Sequence, residues 1–233
     1  IPHLLSMTAT PIPRTLALTI YGDLDLSLLD ELPLGRKPPV TKIINPEERG
    51  MAYAILREEI NNGRQAYIIC PRIDEPDPEK LNAINAKAVK EEARRLKKEI
   101  FPEMEIGILH GQMLPKEKEE VLSDFKENKI QILVATSVVE VGINVPNATI
   151  IIIEGAERFG LAQLHQLRGR VIRSAYQPHC LVFAGSKSQK TAERLKALVN
   201  AKNGFELAEY DLKMRGAGAL GGGKQWGVSD IGM

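Results

Sequence analysis

Short apolar runs alternate with longer segments of helical periodicity along most of the chain. Six of these runs are rich in Val and Ile and almost continuously hydrophobic, which predicts strands buried on both faces, as in a parallel sheet. They lie at 40–45, 65–70, 105–109, 130–135, 149–154 and 179–184. Because predicted strands and helices alternate, we expect an α/β fold with three layers and a mostly parallel sheet.

The intervening segments carry the start and stop signals of helices and apolar residues three or four positions apart. Helices are predicted at 46–63, 78–100, 116–129, 189–201 and 204–215. The last two are joined by a short turn and are expected to form a helical hairpin. The charge-dense part of the second helix, 87–99, is interpreted as a solvated face with pairs such as Glu91 with Arg95.

Proline and glycine content divides the chain into four parts. Residues 22–39 hold Pro33, Pro38 and Pro39 and are typical of a connector. We therefore expect an N-terminal remnant of another domain (1–25), a linker (26–39), an α/β domain (40–186), and a helical hairpin with an extended loop (187–233). The chain opens on an apolar run without Met, which suggests a fragment of a longer protein.

The composition is that of a soluble globular protein, with 43% hydrophobic and 26% charged residues. The formal net charge is +1, so any nucleic-acid binding must come from local patches. Cys70 and Cys180 lie in apolar runs and are expected to be buried, reduced thiols, which fits a reducing compartment. No histidine cluster, signal peptide or membrane-spanning run is found, so no metal site and no membrane association are expected.

The stretch "GALGGGKQ", 218–225, nearly matches the phosphate cradle G-x-x-x-x-G-K-[ST]. Such a cradle needs a buried strand before the loop and a helix after it. Here the preceding segment, 207–215, is helical in pattern, and Gln225 stands where the motif has a hydroxyl. We therefore interpret the stretch as a flexible loop. A kinase-like protein built on it is the weakest of the alternatives.

The stretch "QLHQLRGRVIRS", 163–174, places Arg168, Arg170 and Arg173 close to Gln166. One interpretation is a solvated basic helix face. The other is a phosphate site, because planar guanidiniums suit phosphate oxygens and two arginines three apart on a helix share one face. Such arginines can act as fingers that stabilise charge on a transferring phosphoryl group.

The stretch 133–154 places small hydroxyl residues, Thr136 and Ser137, after a predicted buried strand. Ligands of open α/β sheets bind at the carboxyl ends of the strands. These hydroxyls are therefore expected either to cap a helix or to bind a nucleic-acid phosphate.

Four segments resemble motifs III to VI of superfamily-two helicases, in the right order. They are "SMTATPIPRTL" (6–16), "ILHGQM" (108–113), "ATSVVEVGINVP" (135–146) and "QLRGRVIR" (166–173). The connector "IYGDLDLSLLDELPLGRKPPVT" resembles the RecG family of bacterial ATP-dependent DNA helicases. The tail "DLKMRGAGALGGGKQWG" resembles the translocation motif that this family shares with the transcription-repair coupling translocase Mfd. The resemblance covers essentially the whole chain.

The resemblance implies the end of a first RecA-like motor domain, a complete second RecA-like domain and a translocation element. ATP would lie between the two motor domains, and the first would supply the phosphate cradle and the acidic residues for Mg²⁺. The fragment alone would then be inactive. Implied partners are ATP, branched or forked DNA, and the first RecA-like and wedge domains of the same full-length chain. A cytoplasmic, nucleoid-associated bacterial protein is implied.

The resemblance also implies roles for individual residues. Arg170 and Arg173 would be the catalytic fingers, supported by Gln166, and Gly142 and Asn144 would line the ribose. The residues that would face the DNA backbone are Thr136, Ser137, His110 and Gly111. Arg215 and Gln225 would couple domain closure to movement of duplex DNA.

Four positions depart from the family pattern: Ile172 and Ser174 replace glycines, Asn144 replaces an Asp, and Lys224 replaces an Arg. Ile172 would misplace Arg173 if that position needed a positive φ. Two alternatives remain open besides the kinase-like protein: an Mfd-like translocase acting on RNA polymerase, and a module that only binds branched DNA.

Overall fold

The computed structural model describes residues 27, 33–71, 77–136, 145–185, 188–201 and 203–215. The predicted remnant at 1–25, part of the linker at 26–39 and the glycine-rich end of the chain lie outside the described residues.

A six-stranded sheet forms the middle layer, and all its pairings are parallel. The strands are β1 (Val40–Ile44), β2 (Gln65–Cys70), β3 (Ile106–Leu109), β4 (Ile132–Thr136), β5 (Ala148–Ile153) and β6 (His179–Phe183). Their order across the sheet is β1-β6-β5-β2-β4-β3, so β2 lies inside the sheet and β1 and β3 lie at its edges. All six predicted strands are confirmed, with ends that move by at most two residues.

Two helices, α1 (Arg49–Asn61) and α2 (Pro78–Arg95), cover one face of the sheet. α1 is preceded by a 3₁₀ turn at Pro46–Glu48, and α2 continues as a π-helical segment at Leu96–Ile100. Together they match the predicted helices at 46–63 and 78–100. The residues of this layer that pack into the core on the strands are Ala52, Tyr53, Leu56, Ile60, Val89, Ala93, Leu96 and Phe101.

Four helices cover the opposite face: α3 (Pro115–Lys126), α4 (Leu161–Arg168), α5 (Gln189–Asn200) and α6 (Gly204–Arg215). α3, α5 and α6 confirm the predictions at 116–129, 189–201 and 204–215. α4 is not among the helices that periodicity predicts, since it has only eight residues. Helices on both faces of a parallel sheet confirm the three-layer α/β/α architecture.

The predicted pair of Glu91 with Arg95 is wrong. Arg95 instead forms a salt bridge with Glu92 at 2.6 Å, and Glu91 lies 3.8 Å from Lys87. The spacings are i,i+3 and i,i+4, which are both reachable on a helix. Arg95 is also drawn inward by Tyr53, whose hydroxyl accepts a hydrogen bond of 2.8 Å from its guanidinium.

Candidate functional site

The carboxyl ends of β3 and β4 bring two of the predicted site residues together. Leu109 pairs with Ala135, so the next residues of the two strands, His110 and Thr136, lie side by side at the same edge of the sheet. Thr136 is the last residue of β4, where the sequence predicted that the strand had already ended. Its side chain is buried. The residues directly after it lie outside the described residues, so its role as a helix cap or phosphate ligand stays a prediction.

His110 is 8% exposed, and its Nδ1 is buried without a hydrogen bond to any described residue. Burial lowers the pKa of the imidazole, and the positive charge of Lys90 lowers it further. The ring is therefore neutral at physiological pH. Gly111, by contrast, is exposed, and its carbonyl oxygen accepts a hydrogen bond of 3.4 Å from Nζ of Lys118. The accessible part of this loop is its backbone at Gly111 and the side chain of Gln112.

Arg168 is buried, which overturns the interpretation of all three arginines as a solvated basic face. Its guanidinium donates to the carbonyl oxygens of Leu198, at 2.7 Å, and Ala201, at 3.4 Å. It also lies 3.2 Å from Nδ1 of His165. Because the acceptors are carbonyls at the C-terminus of α5, the cation meets the negative end of the helix dipole. Arg168 thus joins the end of α4 to the end of α5.

A second arginine holds the other half of α5. Arg194 donates to the carbonyl oxygen of Glu157, at 2.7 Å, in the 3₁₀ turn Ala156–Arg158 that precedes α4. The carboxylate of Glu157 in turn accepts a hydrogen bond of 3.2 Å from the backbone N–H of Gly185. The first helix of the hairpin is therefore fixed to both flanks of α4.

Arg170 and Arg173 do not share one face of a helix, because α4 ends at Arg168. Arg170 lies in a 3₁₀ turn, Gly169–Val171, that packs on β5, and Arg173 lies beyond this turn. Both are half-buried. Their positive charges nevertheless act on the same group, the phenol of Tyr67 on β2. Burial raises the pKa of Tyr67 to about 12, and the charges of Arg173 and Arg170 oppose this rise. Both guanidiniums are therefore close enough to Tyr67 to act on it electrostatically.

Ile172 has φ −91° and ψ 57°. The replacement of glycine thus requires no left-handed backbone, and the sequence-based concern that Arg173 would be misplaced for that reason is removed. A side-chain carbon placed on Gly169 would meet no atom within 4 Å, so the turn is open on that side.

The remaining predicted residues are only partly covered by the structure. Gln166 lies on α4, half-buried, one turn before Arg170. Arg215 is the last residue of α6, and the placement of its side chain is not described. Ser137, Gly142, Asn144 and Gln225 lie outside the described residues.

Sequence reasoning missed the role of Arg168, although a signal was present. The buried residues of α4 are Leu161, Leu164, Leu167 and Arg168. Their spacing is that of a single helix face, so Arg168 continues the apolar stripe. An arginine on such a stripe must find acceptors inside the protein, because a buried charge without partners is costly.

The described residues contain no group of three or more His, Cys, Asp or Glu side chains that could hold a metal ion. Cys70 and Cys180 are both buried and unpaired, as the sequence predicts, and burial raises the pKa of both thiols. In the part of the chain that the structure describes, no helix is long and apolar enough to cross a membrane.

Comparisons with known proteins give consistent similarities. The chain is 51% identical to the ATP-dependent DNA helicase RecG of Synechocystis sp. over 99% of its length, and covers 27% of that protein. It is 48% identical to RecG of Streptococcus pneumoniae, again over 99% of its length, and covers 34% of that protein. The solved structure of RecG bound to a three-way DNA junction matches with a TM-score of 0.73 and 42% identity, over 91% of this chain and 27% of that one.

The chain thus spans 27% to 34% of the length of these relatives. Residues 51–175 match the helicase conserved C-terminal domain. This match covers β2 to β5, the loop at His110 and the arginines after α4. The chain belongs to the helicase conserved C-terminal domain family.

Proposed function

We propose that this chain is the C-terminal motor portion of an ATP-dependent, double-stranded DNA translocase that remodels branched DNA. The reactions meant are fork regression and branch migration of Holliday junctions in recombination and repair. The observation that carries the proposal is the position of Arg170 and Arg173, half-buried just after α4 and inside the matched helicase C-terminal domain, in a chain that is similar to RecG over nearly its whole length.

Arg170 and Arg173 are proposed to reach the γ-phosphate of an ATP bound by a first RecA-like domain. Guanidiniums suit this role, because they stay charged at all physiological pH values and present a planar fork of donors. Mg²⁺ would be held mainly by acidic residues of that first domain. Gln166 would orient the arginines, and Gly142 with Asn144 would contact the ribose. The positive charges would stabilise the transition state only after the two domains close.

The edge of the sheet at β3 and β4 is proposed to follow the DNA backbone. The exposed backbone of Gly111 is the accessible group among the described residues, and Ser137 is proposed as a further phosphate contact. His110 and Thr136 are buried, so we propose that they shape this edge of the sheet. They would contact the DNA directly only if the loop opens. Contacts of this kind bind phosphates and do not distinguish sequences.

The hairpin of α5 and α6 is proposed to transmit the closure of the ATP site to the DNA. Arg168 and Arg194 fix α5 to both flanks of α4, so a displacement of the arginine-bearing turn must carry the hairpin with it. Arg215, the last residue of α6, and Gln225, ten residues further along the chain, would deliver the movement to duplex DNA.

The proposed divisions of the chain are a remnant of the first motor domain (1–25), a linker (26–39), the second RecA-like domain (40–186) and the hairpin with the translocation motif (187–233). The full-length protein would include the first motor domain and a wedge domain, and would act in the bacterial cytoplasm at the nucleoid. An Mfd-like translocase and a DNA-binding module without motor activity are the competing functions.

The test is Arg170→Ala in the full-length protein. DNA-stimulated ATP hydrolysis should fall about 10³-fold or more, because a finger contributes that much to the rate, while ATP binding changes little. Arg158→Ala is the matched control, since Arg158 is an exposed arginine next to the same helix. Normal ATP turnover in Arg170→Ala would show that Arg170 is not an arginine finger.

A second measurement separates the motor from its competitors. This chain alone should show no ATP hydrolysis with or without forked DNA, and should gain it when joined to the first motor domain. Hydrolysis by the isolated chain that disappears in Lys224→Ala would instead mean that 218–225 is a phosphate cradle. Strong, salt-sensitive DNA binding by the isolated chain, with no hydrolysis after joining, would favour a binding module.

A further inference from the structure

A groove of about 190 Å³ lies between α2 and the loop after β3. Its lining residues are Ala83, Ala86, Lys87, Lys90, Glu91, Arg94 and Gln112. The three basic residues are three and four positions apart, so they follow one another along one face of α2. Gln112 closes the groove from the side of the loop that also holds His110 and Gly111.

The charges in this groove are unbalanced. Lys87 lies 3.8 Å from Glu91, the one acidic residue of the lining. Lys90 and Arg94 are exposed, and neither forms a salt bridge or hydrogen bond with a residue that the structure describes. Among the described residues, the groove thus presents three cations against one carboxylate.

The groove is continuous with the proposed DNA-facing edge. β3 is the outermost strand on this side of the sheet, and α2 packs beside it. The charge of Lys90 is close enough to lower the pKa of His110, and on the other side of the loop Lys118 donates to Gly111. Basic groups therefore flank the loop on both sides, one from α2 and one from α3.

We propose that this groove binds the sugar–phosphate backbone of DNA and extends the path that begins at Gly111. The proposal rests on the proposed function and adds a contact surface on α2. Lys90 and Arg94 are about 6 Å apart along the helix axis, and both side chains are long and flexible enough to bind neighbouring phosphates. Gln112 can donate to a phosphate oxygen between them.

The experiment compares the salt dependence of DNA binding by the full-length protein and by its Lys90→Gln/Arg94→Gln variant. A forked DNA and a plain duplex of equal length are the probes. Each lost phosphate contact should reduce the slope of log Kd against log salt by about 1, so the double variant should lose about 2. The Kd should rise several-fold on both probes. Lys90→Glu/Arg94→Glu should weaken binding further.

The control variant is Lys42→Gln/Lys126→Gln, which removes the same charge from exposed positions on β1 and at the end of α3. Its slope should equal that of the unmodified protein. Thermal unfolding of each variant identifies any loss of folding. The proposal that the groove binds DNA is overturned if the salt slope is unchanged in the folded Lys90→Gln/Arg94→Gln variant, or if the control variant loses as much slope. Failure of the unmodified protein to bind either DNA would instead remove the proposed function itself.

Discussion

The two faces of the sheet each hold a half-buried or buried arginine, and the two are satisfied in opposite ways. On the face of α1 and α2, Arg95 donates to both carboxylate oxygens of Glu92, at 2.6 and 3.0 Å, and to Tyr53. The hydrogen bond to Glu92 raises the pKa of Arg95. On the other face, Arg168 has carbonyl oxygens and a neutral His165 as partners, and burial lowers its pKa.

The comparison separates an arginine whose charged partner lies on its own helix, Arg95, from one whose carbonyl acceptors lie at the end of another helix, Arg168. Glu92, the charged partner of Arg95, lies on the same helix, so this salt bridge does not depend on the position of another element, although the hydrogen bond from Arg95 to Tyr53 also joins α2 to α1. The partners of Arg168 are backbone atoms of another helix, whose position changes only when that helix moves. A carbonyl acceptor also cannot be replaced by substitution. We therefore expect the charged pairs of the first face to tolerate exchange better than Arg168, which with Arg194 joins α5 to the flanks of α4.

The largest stability effect is expected for Arg168→Ala. It removes the bonds to Leu198 and Ala201, leaves buried carbonyl oxygens without donors and opens a cavity next to α5. We expect a loss of about 3 kcal/mol in the free energy of unfolding, measured by urea denaturation of this chain.

Arg168→Lys is the matched variant, because it keeps the charge but cannot offer the planar fork. Its free energy of unfolding should lie between those of the unmodified chain and of Arg168→Ala. Equal stability of Arg168→Ala and the unmodified chain would remove the distinction between the two faces.

An intermediate effect is expected for Arg49→Met on the first face. Arg49 lies 2.8 Å from the largely buried carboxylate of Glu154, and burial raises the pKa of Glu154 while Arg49 opposes this rise. Removing Arg49 should cost about 2 kcal/mol, because it leaves a buried carboxylate without its cation. Addition of Glu154→Gln should recover most of this loss, since the uncompensated charge is then gone. A double variant no more stable than Arg49→Met would contradict the idea that this face tolerates exchange.

The smallest effect concerns pH. Burial, with help from the charge of Arg168, lowers the pKa of His165 to about 4, below the value of about 6.5 in an unfolded chain. The unfolded state therefore binds the proton first, and stability is lost as the pH falls from 6.5 toward 4. Allowing for the partial exposure of the ring, this loss is about 1.5 kcal/mol.

His165→Gln should flatten the stability profile in this window while leaving stability near pH 7.5 similar. Gln can still accept a hydrogen bond from Arg168 through its side-chain oxygen. Denaturation at pH 7.5, 6, 5 and 4 measures the difference. Parallel profiles for His165→Gln and the unmodified chain would show that His165 does not sense pH.

The fold was largely predictable because its strands are buried on both faces. A run such as "TIIIIE" is distinct from amphipathic helices, and all six strands were located from such runs. The strand order across the sheet was not predicted, since it depends on packing between segments far apart in sequence. The short helix α4 was also missed, because eight residues give too few turns for a clear period.

The site was less predictable than the fold, since residue type alone does not tell where a side chain points. Arg168, Arg170 and Arg173 look alike in the sequence, yet the first is buried against α5 and the other two are half-buried beyond the end of α4. Thr136 is a hydroxyl residue at the correct edge of the sheet, but the strand continues through it and buries it. The sequence pattern identified the segments that hold the candidate site, but the burial and contacts of each side chain could be known only from the structure.

The position of β1 has a consequence for how the protein is made. Val40 pairs with His179, and within the sheet β1 has β6 as its one neighbour. During synthesis at about 5–20 residues per second, β1 leaves the ribosome on the order of 10 s before its partner strand exists. Throughout that interval a β-prone segment next to the linker has exposed backbone groups and no neighbouring strand. The exposed Lys42 in this strand places a charge in a segment that would otherwise be available for pairing with another nascent chain.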